Sequence, residues 1–198
     1  MISVDNYLAE LHHTIDSIPL ETLYEVINAL YQARIEGRRI FLMGNGGSAA
    51  TAAHMACDLP KNTRTPHLPG FRIVDLSANI STVTAYANDE GYENIFAQQI
   101  LTMADPRDIA IGISTSGNSL NILRAMEAAR QIGMQTIGFT GFQGGRLGEI
   151  VDINLCVPSN SVEHIEDTHL IIEHLIVSAF RQELNFTKIE QLEYTQSE

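Results

Sequence analysis

Residues 39–59, RIFLMGNGGSAATAAHMACDL, decide the fold. Arg39–Met43 is a short apolar run that stops abruptly at Gly44, and Ser48–Leu59 is Ala-rich and reads as a helix. A strand, a glycine turn and a helix therefore follow one another without a spacer. The order recurs downstream. Phe71–Leu76 is a strand candidate, and Ile80–Ala87 and Tyr92–Met103 are helical. Asp108–Ile113 is a strand, followed by the loop Ser114–Ser119 and a helix over Leu120–Ile132. Thr136–Thr140 and Ile153–Val157 are two further strands, with Gly141, Gly144, Gly145 and Gly148 punctuating the stretch between them.

Strands alternating with helices predict an α/β fold: a three-layer αβα sandwich around a parallel sheet of about five strands. Upstream, apolar residues recur at helical spacing from Val4 to Arg38 with a break near Pro19, which gives two amphipathic helices. Their apolar faces exceed what one small sheet needs as cover, so subunit contacts and core cover are both open readings. Downstream, His164–Leu184 returns to the pattern of a long amphipathic helix. The chain is read as one domain over 1–198: N-terminal helices to 38, an α/β core over 39–160, a C-terminal helix over 161–186 and a polar tail over 187–198, frayed or engaged in oligomer contacts.

Composition narrows the function. The chain of 198 residues carries 12 basic and 24 acidic residues, a formal net charge of −12. That balance repels nucleic-acid backbones and anionic membrane surfaces. It leaves a phosphorylated small molecule open, because backbone N–H groups at helix N-termini bind phosphate without Lys or Arg. Cys57 and Cys156 stand in no paired spacing and read as two buried thiols in a reducing compartment. The N-terminus has no apolar core of a signal peptide, and no stretch approaches the roughly 18 apolar residues of a membrane span. A cytoplasmic protein is expected.

Ligands of an open parallel sheet sit beyond the carboxyl ends of its strands. Two loops lie at such positions. Gly44-Asn45-Gly46-Gly47-Ser48 lets backbone approach a ligand closely, and Ser48 adds a hydroxyl at the helix start. Ser114-Thr115-Ser116-Gly117-Asn118-Ser119 sets four hydroxyls and a glycine between an apolar strand and a helix. Ser, Asn and Gly also make good turns and caps, but two such loops in one sheet favour an anion site. The first loop lacks GxGxxG spacing and neither ends in GK[ST], so no nucleotide cofactor is expected.

Three motifs in order, GNGGSAA at Gly44–Ala50, IGISTSGNS at Ile111–Ser119 and TGFQGG at Thr140–Gly145, make the chain resemble the sugar isomerase (SIS) domain family, and within it the phosphoheptose isomerases. The likeness runs from the N-terminal helices to about residue 185. It implies a flavodoxin-like sandwich, a homotetramer with sites at subunit interfaces, and conversion of sedoheptulose 7-phosphate into an aldoheptose 7-phosphate for cell-envelope polysaccharide. It further implies that Ser48, Ser114, Thr115, Ser116 and Ser119 hold the sugar phosphate; Asn45, Gly46 and Gly47 of the first loop are candidate phosphate contacts beside them.

Aldose–ketose isomerisation needs a base to move a proton between adjacent carbons and an acid to manage the carbonyl oxygen. His54 and Asp58 are i and i+4 on the helix after the first loop, so they share a face beside it. Glu166 and His174 lie eight apart on the last helix, about 80° round at roughly 100° per residue, and both can reach one cleft. In the family the corresponding positions carry His, Glu, Gln and His, which form the active site and can bind zinc, the Glu serving as base and the last His as acid. His54 and His174 match. Asp58 is one methylene shorter than Glu, which draws the carboxylate back by about 1.5 Å. Glu166 replaces an amide by an anion, which strengthens a divalent-metal site of two histidines and two carboxylates or makes Glu166 itself the base. Asp58 is the first choice of base and Glu166 the second.

Asn62 stands where the family has arginine, with Lys61 and Arg64 near enough in sequence to substitute, and Asn79 stands where it often has aspartate. Asn88 and Asp89 match the family and are candidate sugar contacts, as is Asn79. His169 matches too and is expected to support Glu166. His12, His13, His67 and His164 read as surface or capping residues, with His67 and His164 the nearest to the site. The rival readings are a SIS module that binds a sugar phosphate as a signal or serves as a protein adaptor, and an isomerase of another phosphosugar.

Overall fold

The computed structural model describes residues 3–195, with side chains through 182. Two helices lead in, α1 (Val4–Asp16) and α2 (Leu20–Ile35). There follow β1 (Arg39–Gly44), α3 (Gly47–Asn62), β2 (Arg72–Asp75), α4 (Ile80–Glu90), a single 3-10 turn at Tyr92–Asn94 and α5 (Ala97–Met103). The second half holds β3 (Ile109–Ser114), α6 (Leu120–Ile132), β4 (Gln135–Thr140), α7 (Gly145–Ile150), β5 (Ile153–Cys156) and α8 (Val162–Thr195). The polar tail expected at 187–198 falls on residues whose side chains lie outside the described ones; backbone through Thr195 continues α8.

All strands are parallel, in the order β2-β1-β3-β4-β5. Chain direction across the sheet reverses between β1 and β3, because β1 leads outward to β2 and β3 leads the other way. That crevice is the topological switch point where such sheets bind ligands. Register sets the loops level: Gly44 pairs with Ile113 and Ser114 with Thr140. GNGGS, STSGNS and TGFQGG thus leave the same edge of the sheet.

Alternation along each strand builds two cores. Ile40, Leu42, Ile109, Ile111, Ile113, Ile137 and Phe139 face α2, α3 and α8, while Phe41, Met43 and Ala110 face α5, α6 and α7. Each fully buried aliphatic side chain contributes about 1.5–3 kcal/mol.

Two elements depart from the sequence reading. The helix expected over Tyr92–Met103 is split, because Ile95 and Phe96 turn into the core between the 3-10 turn and α5. Residues 145–150 form a helix in the glycine-punctuated stretch to which the sequence assigns no element; Leu147 anchors this one turn and half in the core. The cysteines also differ: Cys57 is exposed and Cys156 half-buried, since Cys57 projects from α3 away from the stripe of Ala52, Met55 and Leu59 that meets the sheet.

Candidate active site

Close backbone approach shapes the first loop. Gly46 takes a positive φ of 54°, and a Cβ at Gly44 would lie 2.5 Å from the Ser48 carbonyl carbon. Gly46 caps α3 without a side chain, so the N–H groups of its first turn face the switch point. Asn45 is held by a reciprocal amide pair: its Nδ2 donates to Asn121 Oδ1 at 3.0 Å, and Asn121 Nδ2 donates back to Asn45 Oδ1 at 2.8 Å. Tyr92 Oη donates to the same Asn45 oxygen at 2.8 Å. Asn121 is buried at the start of α6, so this pair couples the two predicted phosphate loops. Neither Asn121 nor Tyr92 was singled out from sequence, because a lone Asn inside a helix and an exposed Tyr carry no motif.

The second loop is fastened from below. Gly117 has φ 64°, and a methyl group there would collide with the Gly144 carbonyl. Leu147 N–H donates to Gly117 O at 2.8 Å and Gly141 N–H to Thr115 O at 2.9 Å, so TGFQGG is the platform on which STSGNS rests. Ser114 Oγ donates to Ser119 Oγ at 3.2 Å across the loop. Ser119 occupies the N-cap of α6 but makes no side-chain cap bond, which leaves the first N–H groups of α6 toward the same space. Ser48 and Ser114 are buried, Thr115 and Ser119 half-buried, and Ser116 and Gly46 exposed. The phosphate residues named from sequence thus converge on one edge of the sheet.

Beyond this cradle, α3 and α8 form an ionisable wall. His54 Nε2 lies 3.6 Å from Asp58 Oδ2, and its ring meets that of His174 edge to face. The fourth member is Glu173. It is fully buried, its carboxylate oxygens have no hydrogen-bond partner, and Oε2 lies 3.4 Å from His174 Nε2. One donor atom from each of His54, Asp58, Glu173 and His174 lies within 4.8 Å of the other three. Burial pushes the Glu173 carboxyl up; His174 and His54 act against this and Asp58 adds to it.

Glu166 is placed elsewhere. A Cβ built at Gly47 would be 2.6 Å from Glu166 Oε2, so this carboxylate lies against the N-terminus of α3. Among the described residues it belongs to the cradle rather than to the quartet. Asp58 is half-buried and His174 exposed, so both are open to a substrate.

The remaining candidates make local contacts. Asn79 is the N-cap of α4 and accepts from Thr82 N–H at 3.2 Å. Asn88 Nδ2 donates to Asp89 Oδ1 at 2.7 Å in the last turn of that helix. His169 does not support Glu166: its Nε2 lies 3.0 Å from the Thr140 carbonyl, tying α8 to the end of β4. His164 is buried against the Tyr7 ring, centroids 4.3 Å apart, because Tyr7 is drawn in by its 2.7 Å bond to Asp167. Lys61, Arg64 and His67 are exposed.

A profile of the SIS domain matches residues 6–141. The phosphoheptose isomerase of Aliarcobacter butzleri is 41% identical over 172 residues, 84% of this chain and 89% of that one. That of Syntrophotalea carbinolica is 37% identical over 97% of this chain and 98% of its own. Among solved structures, phosphoheptose isomerase from Neisseria gonorrhoeae superposes with a TM-score of 0.83 at 29% identity, covering 90% of this chain and 97% of that one. The Francisella tularensis phosphoheptose isomerase gives 0.80 at 30% identity over 92% and 100%. With the motifs, the strand order and the two-loop cradle in agreement, the chain belongs to the SIS-domain family, in its phosphoheptose isomerase branch.

Proposed function

We propose that the protein is an aldose–ketose isomerase that interconverts sedoheptulose 7-phosphate and an aldoheptose 7-phosphate. The observation that carries this reading is the placement of an acid–base wall on the two helices that also border the phosphate cradle. Gly47 and Glu166 meet at the cradle, and His54 and His174 meet further along the same helices. At about 1.5 Å per residue, the seven residues from Gly47 to His54 span about 10 Å. An open-chain ketose with phosphate on C7 reaches about the same distance from phosphorus to C1, at roughly 1.2 Å per bond along an extended chain.

Phosphate binds first, on the N–H groups and hydroxyls of the loops. The base, Asp58, takes a proton from C1 while His174 gives one to the C2 carbonyl oxygen, leaving a 1,2-enediol; Glu166, the second candidate from sequence, lies against Gly47 at the phosphate end and is not placed for this step. Return of the proton to C2 and loss of the O1 proton yield the aldose. The donor set of two histidines and two carboxylates fits a divalent cation such as zinc, since a buried carboxylate with no hydrogen bond and only a 3.4 Å approach from His174 calls for a counter-charge. His54, Asp58 and His174 would hold it, and when bound it supplies electrostatic polarisation of the sugar oxygens.

We further place the protein in the cytoplasm as a homotetramer without nucleic-acid or membrane partners. Exposed Leu8, Leu20 and Tyr24 on the N-terminal helices support self-association, and no described helix is long and apolar enough to cross a membrane. A non-catalytic sensor or adaptor is not favoured, because it has no use for paired histidines and carboxylates beside the cradle.

The test is solvent-proton exchange. Purified protein with sedoheptulose 7-phosphate in D2O should place deuterium on the sugar, and the Asp58→Asn and His174→Ala variants should not. Binding of the sugar without exchange would overturn the catalytic reading.

A further inference from the structure

Position 166 is the one that family likeness offers as the fourth donor, and the geometry points to Glu173 in its place. We infer that Glu173 completes the cation site with His54, Asp58 and His174, and that Glu166 is thereby left as a carboxylate of the substrate cradle. The inference rests on the reading of the quartet as a cation site.

Three observations carry it. Glu173 is 0% exposed and neither carboxylate oxygen has a hydrogen-bond partner. An orphaned carboxylate of this kind costs several kcal/mol of desolvation unless a proton or a cation meets it. Second, its oxygen and one atom each of His54, Asp58 and His174 are mutually within 4.8 Å. Ligand atoms about a tetrahedral ion at roughly 2.0–2.2 Å stand about 3.3–3.6 Å apart, so a contraction of at most about 1.5 Å in the widest pair, within reach of side-chain rotation, closes the shell. Third, Glu166 already has a place: its carboxylate lies on Gly47, two helical turns from His174, at the positive end of α3. A side chain committed there does not also reach the quartet.

Two consequences follow for the chain's chemistry. The shorter Asp58 is tolerated because Glu173 approaches from α8 and supplies the second carboxylate. Glu166 carries a negative charge where an amide would be neutral, and that charge lies against Gly47 at the start of α3.

Metal binding without substrate tests this. Full-length protein stripped by chelator and reloaded with zinc alone should hold one ion per chain, read by elemental analysis and by competition with a chromophoric chelator. Glu173→Gln should weaken zinc at least on the order of tenfold, the lower range for losing even an indirect metal partner. Glu166→Gln should leave zinc affinity unchanged. Cobalt(II) gives a second readout: the Glu166→Gln protein should keep the wild-type visible spectrum, and Glu173→Gln should alter it. Should Glu173→Gln not fold, the Glu166→Gln spectrum and affinity decide alone. Zinc held equally well by Glu173→Gln, or lost in Glu166→Gln, would overturn the assignment. Failure of the isomerase reading is separate: zinc would bind as described while the sugar gained no deuterium.

Discussion

The imidazoles of His54 and His174 meet edge to face, 5.0 Å between centroids with planes at 86°. They come from different helices, and their packing fixes the distance between α3 and α8 at the proposed acid–base site. His174→Ala should lower kcat by about 10²–10⁴, the usual worth of a positioned general acid. KM should change little, because the proposed phosphate site lies two turns away on the loops. A His174→Ala protein with normal kcat and raised KM would assign His174 to binding alone.

The spacing between cradle and wall makes a second prediction, on chain length. In the proposed mode of binding, phosphate at the loops puts C1 of a heptulose phosphate at His54, whereas a shorter ketose phosphate ends short of it by roughly 1.2 Å for each carbon removed. Misplacement of this order costs on the order of 10² in rate. Turnover should therefore fall in the order heptulose 7-phosphate, hexulose 6-phosphate, pentulose 5-phosphate, with the loss in kcat rather than in binding. Deuterium exchange rates at saturating sugar read this directly, and equal rates for all three would remove the spacing argument.

Gly117 offers a test of the platform under the second loop. Its φ of 64° and the Gly144 carbonyl behind it leave no room for a methyl group. Gly117→Ala should cost about 1–3 kcal/mol of stability, the range for a strained left-handed residue. The loop should shift off the Gly141–Leu147 platform, so KM should rise for every phosphorylated sugar. Unfolding midpoint and KM measured on one preparation give both numbers.

Much of this site is legible in the sequence because its backbone requirements leave residue signatures. Glycines at 44, 46 and 117 are demanded by close approach or positive φ, and hydroxyls at 114, 116 and 119 follow a strand too apolar to be anything but buried. The helix expected over about Leu120–Ile132 is found there, ended by Gly133 in the left-handed conformation. Glu173 escapes notice for the opposite reason. It lies on the buried stripe of α8 with His169, Ile172, Ile176 and Val177, where a carboxylate only breaks an apolar pattern. The available signal was that break itself: four residues beyond His169 and four before Val177, an acid faces the sheet side. The 145–150 helix escapes because two glycines in six residues contradict helix propensity, and only burial of Leu147 overrides them.

His169 predicts a pH dependence of stability. Burial lowers its pKa from the ordinary 6.5 to about 4, the Thr140 carbonyl acting weakly the other way. The ring's stacking partner Phe139 and its hydrogen-bond partner, the Thr140 carbonyl, carry no charge. The folded protein thus keeps His169 neutral while the unfolded chain takes up a proton below 6.5. Stability from this group is complete above 6.5, declines as pH falls, and levels off near 4, a total of about 3 kcal/mol. His169→Gln keeps a donor for Thr140 without the titration. Urea unfolding from pH 7 to pH 4 should show a shallower decline for the variant than for wild type; parallel curves would exclude His169 as the source.

The Asn45–Asn121 amide pair separates geometry from charge at the cradle. Asn121→Leu removes the bonds between Asn121 and Asn45 and leaves Asn45 Nδ2 without this acceptor, at a cost of about 1–3 kcal/mol. Asn121→Asp keeps an acceptor for Asn45 Nδ2 and for the Ile122 N–H, and Tyr92 still serves Asn45 Oδ1. Its fold should therefore stay near wild type, while a carboxylate beside the first loop repels the incoming phosphate. KM should rise in both variants for different reasons, and added salt distinguishes them. Screening should recover part of the affinity of Asn121→Asp and none of that of Asn121→Leu. Equal salt responses would mean that the pair acts on the loops through packing alone, and that the phosphate is seated beyond reach of a charge at position 121.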